Sequence, residues 1–184
     1  MSDGVRDGIE VRRATVDDAS AIAAVMVASW HATYRGIMPD SVLDRQTIDR
    51  ARGRWTERLA AQTDVESTRS WVVTTDGAVQ GYAVTAAAND VFRPPPDGAG
   101  EIDSLYLAPA AIGRGLGRRL HAAITADLWA RHFAPLILWA FEANDHARRF
   151  YERADWVHDL DHHWVLDEQP IPIVRYRLDA PSRE

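Results

Sequence analysis

The sequence predicts a mixed α/β (α+β) domain: a mostly antiparallel meander of strands leading into one parallel strand pair, with helices on both faces of the sheet. Three observations predict it. An Asp76-Gly77 pair separates two alternating runs, the strongest short-range signal of a hairpin. A strand-like run from Glu101 to Leu107 leads through a glycine-rich turn to Leu116, Leu120, Ile124 and Leu128, whose four-residue spacing puts them on one helix face. The run from Pro135 to Phe141 is then continuously apolar, as expected of a strand covered on both faces. Strand, helix and strand in that order imply a crossover and a parallel pair.

In chain order, residues 1–8 read as a disordered tail and residues 9–184 as a single domain. Ile9 to Arg13 alternates like a half-buried strand, and Thr15 with Asp18 forms a capping pair ahead of an apolar run. The first helix carries Ile22, Val25, Met26 and Trp30 and stops at Gly36. A second helical region spans about 40–61, with Ile48, Ala51, Trp55 and Leu59 as its stripe. Trp71 to Thr75 and Ala78 to Val84 form the hairpin, and the proline-rich residues 89–99 form a surface loop. The central strand ends at Pro109, which has no N–H to offer a ladder. A short helix is expected over 144–153 and two closing strands over 162–167 and 171–178, and His158 to His163 reads as a solvated loop.

Bulk properties exclude several classes. At 184 residues the chain can bury a sizeable core, and 46% hydrophobic with 26% charged residues is ordinary for a globular protein. A net charge of -6 argues against nucleic acid as a partner. The absence of cysteine removes disulfides, thiolate metal sites and a cysteine nucleophile. No apolar run reaches membrane-span length, and the polar first residues do not resemble a signal peptide, so a cytoplasmic location is the expectation. All 21 basic residues are arginine, so the chain has no lysine of its own to modify.

The glycine turn carries the chemistry. Gly113, Gly115 and Gly117 allow tight turning and close approach of a ligand to the backbone. The free N–H groups of a helix start make an anion site suited to phosphate, and Arg114, Arg118 and Arg119 add positive charge. A P-loop is excluded because it needs lysine, and the dinucleotide fingerprint fails because Arg118 stands where its last glycine would be. That spacing, with one crossover unit, also leaves a nucleotide-dependent oxidoreductase poorly supported.

The segment Ile112-Gly113-Arg114-Gly115-Leu116-Gly117 resembles the coenzyme A-binding turn of the Gcn5-related N-acetyltransferase (GNAT) family, written [R/Q]-x-x-G-x-[G/A]. Ile112 departs from it by replacing Arg or Gln. A second block, Asn144 to Trp156, is similar to the family's N-x-x-A-x-x-F-Y-E-x-x-G-F segment, with Ala147, Phe150 and Tyr151 in register. Asp155 replaces the glycine there, and Asp tolerates a left-handed backbone. The resemblance runs over residues 9 to 178 and is densest from 100 to 156. It implies a GNAT-like fold whose two parallel strands splay apart. A pantetheine arm would enter between them, bonded to the backbone near Leu105, Tyr106 and Leu107. The turn of Ile112 to Arg118 would hold the pyrophosphate, and Asn144, Ala147 and Phe150 would line the arm. The implied activity is transfer of acetyl from acetyl-CoA to a primary amine, directly and in a ternary complex, with no metal. The other reading kept open is a non-catalytic acyl-CoA sensor or scaffold on the same fold.

Acetyl transfer needs a deprotonated amine, a polarised carbonyl and a proton for the departing thiolate. Glu101 is the candidate base, since some family members use a glutamate at the matching position; Asp103, on the same strand face, is the alternative or a cation attractor. Tyr151 is the candidate acid, or else an aromatic packing on the last helix. Asn144 either bonds the pantetheine or caps its helix. Trp30, His31, Tyr34 and Arg35 either line an acceptor pocket or belong to the core. The expected partners are a small-molecule or peptide amine acceptor and, in a homodimer, a second copy of the chain.

Overall fold

The computed structural model describes residues 8–62, 68–89 and 91–180. Residues 1–7, most of the expected tail, lie outside the described residues. Gly8 is not part of a tail, because its carbonyl accepts the Asp76 N–H at 2.9 Å.

The strands β1 (Ile9–Arg13), β2 (Arg69–Thr75), β3 (Ala78–Ala87), β4 (Gly100–Leu107), β5 (Leu136–Phe141), β6 (Val157–Leu166) and β7 (Gln169–Leu178) form one seven-stranded sheet. Its order is β1-β2-β3-β4-β5-β7-β6, and the β4–β5 pair is parallel while the other neighbours are antiparallel. The hairpin turn between β2 and β3 uses Asp76 and Gly77 at φ 49° and 80°, the left-handed pair that matches the twist of its flanking strands.

Helices α1 (Ala19–Tyr34), α2 (Asp40–Asp44), α3 (Ile48–Ala61), α4 (Leu116–Ala130) and α5 (Asp145–Glu152) complete the fold. On one face of the sheet, α1 and α3 bury Ile22, Met26, Trp55 and Leu59 against Val72, Tyr82 and Val84. On the other, α4 buries Leu116, Leu120, Ile124 and Leu128 against Val73, Ile102, Leu136 and Leu138. The capping pair exists: the Thr15 N–H donates to Asp18 Oδ2 at 2.8 Å, and Arg12 donates to both Asp18 oxygens at 2.7 and 2.8 Å. The Arg12 guanidinium holds the Asp18 carboxyl below the usual carboxylate range, burial opposing it.

Several expectations need correction. The region 40–61 is two helices, because Thr47 takes an extended conformation and its side chain caps α3 by accepting the Arg50 N–H at 3.4 Å. Ile48 leaves the stripe and is 50% exposed at the first turn of α3. The segment His158 to His163 is not a loop: β6 begins at Val157 and runs through it as the outer strand of the sheet, pairing His162 with Ile173. Alternating exposed and half-buried residues hid that strand, since its outward positions are polar. The central strand stops at Leu107, and Pro109 instead opens a short 3-10 turn to Ala111. Gly117 does not turn the chain. It lies within α4, and a Cβ there would meet Leu107 Cδ1 at 3.4 Å, an ordinary contact.

Leu120 is fully buried where α4 meets the sheet. Leu120→Ala is expected to cost roughly 2–5 kcal/mol of unfolding free energy in a denaturant titration.

Candidate active site

The site begins where β4 and β5 part. Their pairing runs only from Gly100↔Leu136 to Ile102↔Leu138, yet β4 continues to Leu107 and β5 to Phe141. The Ala108 N–H donates to the Gln80 carbonyl of β3 at 2.8 Å. Strand alternation therefore turns the backbone polar groups of Leu107 and Leu105 the other way, into the gap. Ser29 of α1 donates to the Leu107 carbonyl, which leaves the two N–H groups for a ligand. The resulting cleft of about 960 Å³ runs from Ile102 and Leu105 to the glycine turn and along α5.

At the cleft's far end Gly113 and Gly115 hold φ of 81° and 80°, a conformation only glycine adopts without strain. Gly115 is the residue before α4, so the first N–H groups of that helix open into the cleft beside Arg118. Arg149 of α5 and Arg153, just after it, also line it. This turn, cationic and free of side chains at both glycines, fits a diphosphate. Arg114 and Leu116 do not line the cleft: Arg114 is exposed and the Leu116 side chain lies in the core. Ile112 lines it but is 45% exposed and supplies no charge. Tyr106, Gly117, Ala147 and Phe150 line it as well. Asn144 caps α5, its Oδ1 accepting the Ala147 N–H at 3.2 Å, and also lines the cleft, leaving its amide N–H₂ as a donor. Asp155 takes φ of 63°, so it occupies the left-handed position that favours glycine.

A second cavity of about 400 Å³ adjoins the first, sharing Tyr34, Asp103, Ser104, Tyr106 and Trp139 as walls. Glu101 and Trp30 line only this one, and Tyr151 only the first. A β-bulge sets the shared wall: Val84 pairs with Ser104 and Thr85 with Ile102, so Asp103 is the extra residue. Skipping Asp103 in the register brings Glu101 onto the same sheet face as Ser104 and Tyr106, and all four line the second cavity. Burial pushes the Glu101 carboxyl up to about 7, with the nearby Asp103 charge adding to it. Asn89 Nδ2 donates to Glu101 Oε2 at 3.4 Å.

Tyr151 is 8% exposed, and its hydroxyl has no hydrogen-bond partner among the described residues. Burial pushes its phenol well above the usual value, so it holds its proton. Tyr34 and Tyr106 are bonded hydroxyl to hydroxyl at 2.9 Å.

Sequence reasoning missed His121. It lines the cleft, accepts the Trp156 N–H on Nε2 at 2.8 Å, and is pushed down to about 4 by burial, so it is neutral. The i, i+3/i+4 spacing of Leu120, His121 and Ile124 on α4 hinted at its burial, but its partner lies 35 residues on. Phe92, Trp139 and Trp164 were also missed as walls of the second cavity.

A sheet with one parting parallel pair, a glycine turn before a helix and a buried carboxylate at the foot of the gap fit an acyl-thioester-dependent transferase. The sequence matches the model of the acetyltransferase (GNAT) family over residues 29–156, and the chain belongs to that family. It is an acetyltransferase using an acyl-CoA donor, and the non-catalytic sensor is set aside. It is 29% identical over 173 residues to a probable N-acetyltransferase of Mycobacterium tuberculosis, covering 92% of this chain and 93% of that protein. An uncharacterized N-acetyltransferase of Bacillus subtilis is 29% identical over 137 residues, covering 74% of this chain and 73% of that protein. The fold is shared with the PaiA N-acetyltransferase of Thermoplasma acidophilum, solved with coenzyme A. That match has a TM-score of 0.71 and 14% identity, over 94% of this chain and 99% of the other. Among the described residues no helix is long and apolar enough to cross a membrane, and no cluster of His, Asp and Glu could hold a metal ion.

Proposed function

We propose that this enzyme moves an acetyl group from acetyl-CoA to a primary amine by direct transfer in a ternary complex. The observation that carries this reading is the adjacency of the two cavities. One takes in the gap between β4 and β5 and the glycine turn with Arg118, the other a buried carboxylate, and they meet at Asp103, Ser104 and Tyr106. When bound, acetyl-CoA supplies an activated thioester. The glycine turn and Arg118 hold its phosphates, and the N–H of Leu105 or Leu107 polarises its carbonyl.

Glu101 removes a proton from the incoming ammonium, for which a carboxyl at about 7 is well matched near neutral pH. The nitrogen lone pair then forms the C–N bond as the C–S pair departs on sulfur. The nitrogen sheds a second proton and the sulfur takes one, so one proton is released overall. Tyr151, whose proton is tightly held, donates a hydrogen bond to the sulfur as charge builds there. Holding both reactants against the same wall supplies much of the rate. The acidic net charge of -6 suits a cationic acceptor.

The first test is thermal unfolding with coenzyme A thioesters, using adenosine diphosphate and NADH as controls. Acetyl-CoA at ~100 times its Kd is expected to stabilise the fold by roughly 2.7 kcal/mol, a shift of roughly 2–4 °C per kcal/mol at this size. The controls are expected to leave the midpoint unchanged. A shift with NADH and none with any thioester would overturn the reading.

A further inference from the structure

Resting on the acetyltransferase reading, the second cavity narrows the acceptor. Its walls are aromatic around one acidic end. Phe92 meets Trp139 and Trp164 edge-on at 5.2 and 5.7 Å between ring centroids, and Tyr82 lies 5.5 Å from Tyr106. Trp30 contacts the same Tyr106 ring at 6.5 Å. All of these side chains line the cavity. Glu101, buried, and Asp103, exposed, both line it from β4.

Arg58 also lines this cavity, on its Trp55 wall. Its guanidinium lies 5.5 Å over the Trp55 ring, which packs on Tyr82 with ring centroids 5.0 Å apart. Tyr82 pairs with Tyr106, whereas Glu101 pairs with Ala86. Tyr82 and Ala86 are four residues apart on β3, roughly 13 Å along the strand. An anion next to the reacting nitrogen would meet the two carboxylates of Glu101 and Asp103.

We propose that the acceptor is an arylalkylamine: a primary ammonium on a short chain, an aromatic body filling the ring-lined cavity, and no carboxylate on the carbon bearing the nitrogen. The aromatic faces attract the cation and bury the ring, and the two carboxylates hold the ammonium while repelling the matching amino acid. The volume of about 400 Å³ fits a single- or double-ring amine and lies in the range of small-ligand sites.

The test compares phenethylamine and tryptamine with phenylalanine, tryptophan and the aliphatic polyamine spermidine, reading thiol release with acetyl-CoA as donor. Acetyl-CoA binding is measured separately by thermal shift. The arylalkylamines are expected to exceed their amino acids in kcat/KM by roughly 100-fold or more, and to exceed spermidine. Asp103→Asn is expected to narrow the amine-to-amino-acid ratio. Phe92→Ala is expected to raise KM for phenethylamine more than for spermidine. If acetyl-CoA shifts the melt but amino acids or spermidine are acetylated as well as the arylalkylamines, the acceptor class is overturned while acetyl transfer stands. If no thioester binds, both fall together.

Discussion

Glu101→Gln is expected to lower kcat/KM for the amine by roughly 100-fold or more and, in the same protein, to raise stability at alkaline pH. The wild-type rate profile is expected to have an acidic limb centred at about 7, where the Glu101 carboxyl titrates, with activity falling as pH drops through it. The variant loses that limb. A limb that survives the substitution would move the role of base to another group, Asp103 first. The stability change follows from the same burial. Glu101 is 9% exposed, and its carboxyl is raised from 4.5 to about 7. The folded state thus binds this proton more tightly than the unfolded chain. The stabilising contribution is full below about 4.5 and is lost as pH rises through about 7. Glutamine mimics the protonated form at every pH. The variant should therefore match wild type in acid and gain on it across that window, up to about 3 kcal/mol at roughly 1.4 kcal/mol per pKa unit. Urea titrations at pH 5 and pH 8 check this, and an equal midpoint difference at both would show that the carboxyl is not held raised.

Tyr151→Phe is expected to reduce kcat by about 100-fold while leaving KM for acetyl-CoA and the melting temperature nearly unchanged. The hydroxyl bonds no group among the described residues, so its loss strands no partner, and the ring contacts with Phe150, Trp156 and Tyr176 remain. If Tyr151 only packed, kcat would be untouched. If it held the fold through its hydroxyl, the melt would drop. The predicted combination of a lost rate and an unmoved melt separates the proposed role from both.

The two substitutions probe different kinds of residue. Tyr151 was visible through its place in the Phe150-Tyr151-Glu152 block, and the structure adds its place on the wall of the first cavity and a proton held by burial. Glu101 was visible as a strand-end carboxylate, but nothing in its sequence neighbourhood states that it is buried. Its environment comes from Asn89 and the cavity walls of α1, α3 and β5. The aromatic region around Trp30 and Tyr34 left wall and core as alternatives, and the structure makes it both: Tyr34 is buried beside Met38, Leu43 and Phe141 and also lines both cavities. Asn144 likewise caps α5 and lines the cleft.

By itself the sequence determined the features that need only neighbours along the chain. These are the Asp76-Gly77 hairpin, the left-handed glycines before α4, the buried stripe from Leu116 to Leu128 and the helix start at Asn144. Each follows from local dihedral preference or from periodicity, which a few adjacent residues fix. Only the tertiary structure decided where β4 and β5 part, that Asp103 is a bulge, that His121 is held by Trp156, and that His158 to His163 form a strand. The physical reason is range. A strand's register, a carboxyl's solvation and a histidine's partner are set by residues brought near by packing, here from 12 to 35 positions away for Asn89 with Glu101 and His121 with Trp156.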